Sequence, residues 1–368
     1  MSKFTCKKSE LSSAIGNVSR AVAFKSTITA LEGIKIEVEE NKVCLTGYDL
    51  ELGITTEISA TNCEKGEFIV NSKLFAEMIR KMPDEEVTVE VDSSLATKIT
   101  SNKASCSIIS LPADEYPDIP EFDKEKTLSI PQSLLKNMIG QTIFAVAVTD
   151  NKPILTGELF EIENGIFNLV AIDGYRLAVR SEQTNNEDYF RFVVPAKALK
   201  EVSNLMNDEE DSVCNIITSR KHIIFDINGY SVFSRLLEGQ FHNYKGSIPE
   251  TSTTEVIVNT REVINALERC MLIISDKAKA PVRCNFENGT MKISCSTIIG
   301  KVNDEIEVDF SGNAIEIGFN GRYFLDALKA TETDKVKFCM TGGLSAMKIS
   351  PLEGDKFTFL VLPVRLKD

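Results

Sequence analysis

The chain has 368 residues, of which 43% are hydrophobic and 26% charged, and its formal net charge is −13. This length predicts two or three domains, and the composition is typical of globular proteins and excludes a disordered or fibrous chain. The start of the chain has no apolar stretch like that of a secretory signal, and no run of 18 apolar residues follows. We therefore expect no membrane segment and a cytoplasmic location.

The cysteine and histidine content argues against a metal site. Nine cysteines are scattered along the chain without a CxxC pair, and the two histidines are His222 and His242. Zinc sites need cysteine and histidine ligands at short, regular spacing, which this sequence does not contain. We expect reduced thiols, no metal and no cofactor.

The first third of the chain contains two predicted helices, each preceded by a short strand and a polar cap. Phe4 begins FTCKKSELSSAIGNV, which predicts a helix over Ser9–Ala23. Phe68 begins FIVNSKLFAEMIRKM, which predicts a helix over Ser72–Met82. Between them, the apolar alternation of IEVEENKVCL predicts a hairpin.

The same order of elements recurs twice, with predicted helices over Pro131–Ala147, Pro195–Met206, Thr260–Ile274 and Asn320–Thr331. The segments with the first helix of each third are 124 and then 128 residues apart, and those with the second helix 124 and 125. The hairpins FEIENGIFNL and CNFENGTMKI carry Asn-Gly turns, a strong hairpin signal. The first helix, the hairpin and the second helix recur in the same order at nearly the same interval, which indicates an internal repeat.

We therefore predict an α+β fold of three repeated domains, residues 1–126, 127–252 and 253–368, each with two helices packed on antiparallel sheet. Polar, proline-led linkers over 120–127 and 249–255 separate them. Each domain itself looks like a doubled unit. Symmetry of this depth suggests a ring or an arc.

The predicted helices carry a net charge of +5, which leaves −18 on the rest of the chain. These cations could simply be solvated. If two copies close a ring with twelve helices inward, packed about 9 to 10 Å apart, the bore is roughly 24 to 28 Å wide. Such a bore would pass a DNA duplex without gripping its bases, while the acidic outer surface repels DNA.

Five motifs resemble the bacterial β sliding clamp family, the β subunit of DNA polymerase III. They are ILTGELFE (154–161), AIDGYRLA (171–178), EGQFHNY (238–244), EIGFNGRYFLDAL (316–328) and VLPVRL (361–366), and the resemblance covers the full length of the chain. It implies a non-catalytic processivity factor of DNA replication, a head-to-tail homodimeric ring around double-stranded DNA with helices lining the channel. The implied partners are the DNA polymerase III alpha subunit, the clamp loader, and other polymerases and repair proteins that carry a clamp-binding peptide.

The resemblance also implies which residues act. A hydrophobic peptide-binding cleft between the second and third domains would use Leu155, Ile172, Gly174, Tyr175, Arg176, Leu177, His242, Ser247, Asn320, Tyr323, Leu344, Ala346, Val361, Leu362, Pro363, Val364, Arg365 and Leu366. DNA would be contacted by Lys25, Lys73, Arg80, Thr149, Lys152, Lys197 and Lys200. The dimer interface would include Cys106, Ile108, Ile273 and Ile274.

The sequence departs from the family pattern at several of these places. His242 replaces a common proline, Gly246 replaces a basic residue of the cleft rim, and ITAL (28–31) replaces the usual LPIL. Pro153 and Ile154 stand where some relatives have two aromatic residues, and Lys367 and Asp368 extend the usual terminus. The departure at Pro153 and Ile154 argues against stacking on a single-strand DNA end, and the others concern the preferred peptide rather than the existence of a cleft.

Two other functions remain open on the sequence. Asp173, Tyr175 and Arg176 could belong to an enzyme of unknown class, although no histidine or second carboxylate lies in the same motif. Alternatively, the chain could be a clamp paralogue that acts as a protein-binding scaffold or a drug-resistance variant. Complementation of a strain without its own clamp would separate this paralogue from a replicative clamp.

Overall fold

A computed structural model describes residues 1–120, 126–149, 151–186, 188–275 and 277–366. Most of the predicted linker over 120–127 and the terminal Lys367 and Asp368 lie outside the described residues. None of the described helices is long and apolar enough to span a membrane.

All six predicted helices are present. The first repeat contains β1 (Ser2–Lys7), α1 (Lys8–Val18), β2 (Gly33–Val38), β3 (Lys42–Tyr48), β4 (Leu52–Ser59), β5 (Thr61–Glu64), β6 (Gly66–Asn71), α2 (Ser72–Lys81), β7 (Glu86–Val91), β8 (Ala96–Ser101), β9 (Ala104–Ile109) and β10 (Leu111–Pro112). The second contains β11 (Lys126–Pro131), α3 (Gln132–Thr142), β12 (Gly157–Glu163), β13 (Ile166–Ile172), β14 (Arg176–Gln183), β15 (Phe190–Pro195), α4 (Ala196–Leu205), β16 (Val213–Thr218), β17 (His222–Ile227) and β18 (Tyr230–Arg235). The third contains β19 (Thr254–Asn259), α5 (Thr260–Met271), β20 (Val282–Glu287), β21 (Thr290–Ser296), β22 (Lys301–Glu307), β23 (Asp309–Gly312), β24 (Ile315–Phe319), α6 (Gly321–Lys329), β25 (Lys335–Met340), β26 (Met347–Ser350), β27 (Phe357–Val361) and β28 (Pro363–Val364).

The chain forms two compact units, and the second repeat is divided between them. The N-terminal unit comprises residues 1–135 and 197–236. It holds a five-stranded sheet in the order β5-β1-β7-β8-β9 and a nine-stranded sheet in the order β10-β6-β2-β3-β4-β18-β17-β16-β11. The nine-stranded sheet joins strands of the first two repeats through the antiparallel pair β4 and β18.

The C-terminal unit comprises residues 136–196 and 237–368. Its nine-stranded sheet has the order β15-β12-β13-β14-β27-β26-β25-β19-β23, and its five-stranded sheet the order β22-β21-β20-β24-β28. Here the antiparallel pair β14 and β27 joins strands of the second and third repeats. The largest core of this unit packs α5 and α6 against both sheets, with Phe286, Phe324 and Phe338 fully buried.

Local sequence signals explain where helices begin and hairpins turn. Asn71 and Asn259 cap α2 and α5, since their side chains accept hydrogen bonds from the backbone of the first helical turn. Asn320 caps α6 in the same way. The Asn-Gly turns have the positive φ angles of a type I′ hairpin, for example 53° at Asn164 and 72° at Gly165.

Three helices end three or more residues before their predicted ends. α1 ends at Val18, α3 at Thr142 and α5 at Met271, and short 3-10 turns follow α1 and α3. The Thr142 hydroxyl donates to the carbonyl oxygen of Met138 at 2.9 Å, a back-bond that bends and weakens a helix end. The apolar pattern continues beyond these ends because the following loops are also packed on the core, so periodicity alone overestimated the helices.

Candidate binding cleft

An apolar cleft of about 670 Å³ lies on the C-terminal unit. Its floor is the face of the nine-stranded sheet that carries Leu177 and Leu360. Phe241 and Tyr244 pack on this face and bury it. Partly buried aliphatic residues such as Leu155 and Ile172 surround this floor. The cleft is preformed, because sheet residues build its base and the loops are packed against them.

One wall is the turn between β13 and β14, where Asp173 acts as a backbone cap. Its Oδ1 accepts hydrogen bonds from the backbone N–H groups of Tyr175 (2.9 Å) and Arg176 (3.0 Å). Gly174 has a φ of 89°, the left-handed conformation that glycine adopts without strain. Asp49, which lies 124 residues earlier, caps the first repeat's turn in the same way, through Oδ1. Asp173 therefore shapes the turn through Oδ1, while its Oδ2 accepts a hydrogen bond from Arg176 Nε.

The guanidinium of Arg176 binds two carboxylates inside the protein. Its Nε donates to Asp173 Oδ2 at 3.0 Å and its Nη1 to Asp326 Oδ2 at 2.9 Å. The group also stacks 4.4 Å from the ring centroid of Tyr323. Arg176 is 7% exposed, and its bonds to Asp173 and Asp326 tie the turn to α6.

The opposite wall is the segment 241–248, which a buried carboxylate holds in place. Tyr244 donates its hydroxyl to Glu161 at 2.6 Å, and Lys245 pairs with Glu161 at 3.1 Å and with Glu163 at 2.8 Å. Arg191 also pairs with Glu161. Burial and then the bond to Glu161 raise the pKa of the Tyr244 hydroxyl, so this hydroxyl stays protonated and donating. The same segment brings His242 Nε2 within 3.1 Å of the Ser247 hydroxyl at the cleft rim.

The structure brings eleven of the predicted peptide-binding residues together in this cleft. They are Leu155, Ile172, Gly174, Arg176, Leu177, His242, Ser247, Leu344, Ala346, Leu362 and Pro363. Three further residues that the sequence did not indicate also line the cleft, Ile154, Gln240 and Leu360; Lys152, predicted to contact DNA, is another lining residue. Leu360 lines the cleft, whereas the predicted Val361 is buried in the core on the other face of β27. Because successive side chains of a strand point to opposite faces, Leu360 and Val361 could not both face the cleft, and this alternation could have been used to choose between them.

The remaining predicted peptide residues do not line this cleft. Asn320, Val364 and Arg365 line a second cavity of about 850 Å³, together with Met271 and Ile274. Leu366 lies directly over Gly318, where any side chain would collide with it. Tyr175 is 62% exposed, and its ring lies 6.0 Å from that of Tyr323.

All seven predicted DNA-contacting residues are exposed, but they differ in their ion pairs. Arg80 pairs with Glu77 at 2.6 Å, and Lys197 pairs with Asp49. Lys73 and Lys200 form no ion pair with a carboxylate among the described residues, and the same holds for Lys25 and Lys152. The observed helices have the predicted total charge of +5, with +2 on α2, +1 each on α3, α4 and α6, and none on α1 and α5.

The predicted interface residues lie in both units. Cys106 and Ile108 lie on β9, at the edge of the five-stranded sheet of the N-terminal unit. Ile273 and Ile274 follow α5 and pack partly buried against the core of the C-terminal unit. Within the described parts of the chain, no three histidine, cysteine or carboxylate side chains are grouped so that they could hold a metal ion.

Comparison with known proteins defines the class as a three-domain replication clamp. Family models of the DNA polymerase III beta subunit match residues 2–120 (N-terminal domain), 129–243 (central domain) and 245–365 (C-terminal domain). The chain belongs to the DNA polymerase III beta subunit family, the beta sliding clamps.

Relatives match over nearly their whole length. The beta sliding clamp of Bacillus subtilis is 33% identical, with 99% of both chains covered, and that of Halalkalibacterium halodurans is 32% identical, with 95% of this chain and 96% of the relative covered. Among solved structures, a putative DNA polymerase III beta subunit from Eubacterium rectale has a TM-score of 0.95 at 35% identity, with 99% of both chains covered. The Bacillus subtilis sliding clamp has a TM-score of 0.95 at 32% identity over the full length of both chains.

Proposed function

We propose that this protein is the processivity factor of bacterial DNA replication, a head-to-tail homodimeric ring that encircles double-stranded DNA. Its three clamp domains would be residues 1–126, 127–252 and 253–368, with helices lining the channel. The protein would act without catalysis in the cytoplasm and tether DNA polymerase III and the clamp loader. Membership of the beta sliding clamp family and the way in which the repeats are joined support this proposal.

The observation that carries the ring is that both internal junctions use the same strand pairing. At the first, Thr55 of β4 lies opposite Ser231 of β18. At the second, Val179 of β14 lies opposite Thr358 of β27. Thr55 and Val179 are 124 residues apart, so one junction geometry is used twice.

Each junction pairs one strand of one repeat with one strand of the next, and in a single chain one strand of each of these two types has no junction partner. β22 is the third repeat's counterpart of β4 and β14, and β9 is the first repeat's counterpart of β18. Both lie at the edges of their sheets, each with one described neighbour. A second copy of the chain, placed head to tail, would pair β9 with β22 and leave no such edge exposed.

The repeat intervals give the register of this seam. Asn303 follows Val179 by 124 residues, and Ser105 precedes Ser231 by 126. Asn303 should therefore lie opposite Ser105 of the partner chain. Directly opposite residues in an antiparallel pair have Cα atoms about 4.5 to 5.5 Å apart, within the range that a disulfide bridges.

The test is a double variant, Ser105→Cys with Asn303→Cys, oxidised and run on a non-reducing gel. We expect a covalent dimer, while each single variant stays monomeric on the gel and so excludes the native thiols. Ser105→Cys with Glu305→Cys is the matched control, because it places the thiols one diagonal step apart, about 7 to 8 Å. A wild-type protein that sediments as a monomer at micromolar concentration would overturn the ring.

For the cleft, we propose a short extended peptide carried by the polymerase alpha subunit, the clamp loader, or other polymerases and repair proteins. An apolar, preformed slot with few polar groups suits the leucine or phenylalanine anchors of such a peptide. Deleting residues 364–368 should abolish binding of a peptide from the alpha subunit, measured by fluorescence anisotropy, and leave the dimer intact. Unchanged affinity after the deletion would place the site elsewhere.

DNA would be retained by topology more than by contact. The helices carry only +5, and ion pairs already engage Arg80 and Lys197. Clamp loaded onto a nicked circle should stay bound at moderate salt and leave quickly once the circle is cut. Equal retention on circular and linear DNA, falling steeply with salt, would indicate a protein that grips phosphates directly.

A further inference from the structure

The third repeat has a basic pocket at the place in the fold where the second repeat has its apolar cleft. The pocket is about 490 Å³ and lies on the outer face of the five-stranded sheet of the C-terminal unit. Leu155, Ile172 and Leu177 of the cleft have their counterparts 124 residues later in Lys279, Ser296 and Lys301, which line this pocket. The two repeats therefore share a pocket at equivalent positions, which is apolar in the second repeat and basic in the third.

The charge of this pocket is unusual for a chain with a net charge of −13. Four cationic side chains line it, Lys279, Arg283, Lys301 and Arg365, and no carboxylate does. Arg283 pairs with Glu316 at 2.8 Å. Lys279, Lys301 and Arg365 form no ion pair with any carboxylate that the structure describes. Unpaired cations grouped in a hollow attract an anionic ligand and are available to bind it.

Neutral groups in the pocket complement these charges. Ser294, Ser296 and Asn303 supply hydrogen-bonding groups from neighbouring strands, and Leu366 and Pro281 supply a small apolar surface. An elongated ligand with carboxylates on one side could be bound by the cations while its backbone meets these polar side chains.

We infer that this basic pocket, defined by Lys279, Arg283, Lys301 and Arg365, is a second docking site that binds an acidic, extended segment of a partner protein. The choice of a protein segment as occupant rests on the proposed peptide role of the cleft, since the pocket is the cleft's counterpart in the repeat. The charge selects carboxylates, and the position on a sheet face beside β22, the strand proposed to pair with β9 of a second copy, selects an extended chain.

The experiment measures the anisotropy of a labelled eight-residue peptide of alternating glutamate and serine, titrated with the full-length protein at low salt. Lys301→Glu and Arg365→Glu should each weaken binding at least tenfold. Lys335→Glu is the charge-matched control, because Lys335 is exposed on β25 of the same unit outside the pocket, and it should change binding less than twofold. Because Lys301 lies on the edge strand β22, Lys279→Glu is a further variant away from that edge and should also weaken binding at least tenfold.

Three outcomes would overturn the inference. The wild type could fail to bind the acidic peptide; Lys335→Glu could weaken binding as much as the pocket variants; or inorganic tripolyphosphate could displace the peptide at far lower concentration, which would make the site a phosphate site. An alpha-subunit peptide is titrated in parallel. If that peptide fails to bind the wild type, the proposed cleft function fails, and the result for the basic pocket is read separately.

Discussion

Replacing Arg176 by leucine should loosen the cleft by opening the contact between its turn and α6. The guanidinium is 7% exposed and binds two carboxylates, at 3.0 Å and 2.9 Å. Removing one partner of a buried pair costs about 3 to 5 kcal/mol. We expect the lower end, about 3 kcal/mol, because Asp326 keeps Arg322 at 3.1 Å and Asp173 keeps its two backbone donors.

This loss of local stability can be measured by hydrogen exchange with mass spectrometry. A loss of about 3 kcal/mol should speed exchange in segments 173–177 and 321–329 by about two powers of ten, since each 1.4 kcal/mol is tenfold. Arg322→Leu is the matched control on the same carboxylate. Its side chain is 69% exposed, and an exposed pair contributes less than about 1 kcal/mol.

The reasoning fails if Arg176→Leu speeds exchange no more than Arg322→Leu does. A double variant, Arg176→Leu with Asp326→Leu, should recover part of the lost protection, because it removes the stranded carboxylate as well. Without that recovery, the effect of Arg176 would come from its packing on Tyr323 rather than from the ion pair.

Two further predictions concern charge. Replacing the unpaired Lys73 and Lys200 by glutamate should weaken binding to linear duplex DNA at low salt and make that binding less dependent on salt. Replacing the ion-paired Arg80 and Lys197 by glutamate should have smaller effects. Equal effects of the two pairs would show that the ion pairs of Arg80 and Lys197 open on DNA. Glu158 is fully buried, and its Oε1 has no hydrogen-bond partner among the residues that the structure describes, so burial raises its pKa well above the usual 4.5. The folded state therefore holds a proton that the unfolded state loses, and stability should fall as the pH rises above about 4.5. Glu158→Gln should remove this slope and raise the midpoint of thermal unfolding at pH 8 but not at pH 4; a parallel pH dependence in both proteins would contradict it.

Much of the fold was predictable because its signals are local. The asparagine caps of α2, α5 and α6 and the Asn-Gly turns depend on a few neighbouring residues, so the sequence predicts them without tertiary information. The repeat then predicted three domains of one pattern, since three copies of one sequence pattern are expected to fold alike.

The parts that could not be predicted depend on long-range contacts. Glu161 reads as one polar residue in a strand, and nothing near it in sequence indicates that it holds Tyr244 and Lys245, which lie more than 80 residues away. In the same way, the helical charge count could not reveal that Lys197 is already paired with Asp49. Sequence reasoning finds which groups are present, but only the structure shows which are still available.

The division of the second repeat has a consequence for anyone who cuts this chain into pieces. A fragment ending at residue 126 would contain a complete sequence repeat, yet it would lose β16, β17 and β18 and leave β4 as a bare edge. Cutting at the next repeat boundary would likewise strip β14 of its neighbour β27. The sequence repeat and the compact unit are offset by about half a repeat, so isolated repeats should aggregate through their bare edge strands where the intact chain does not.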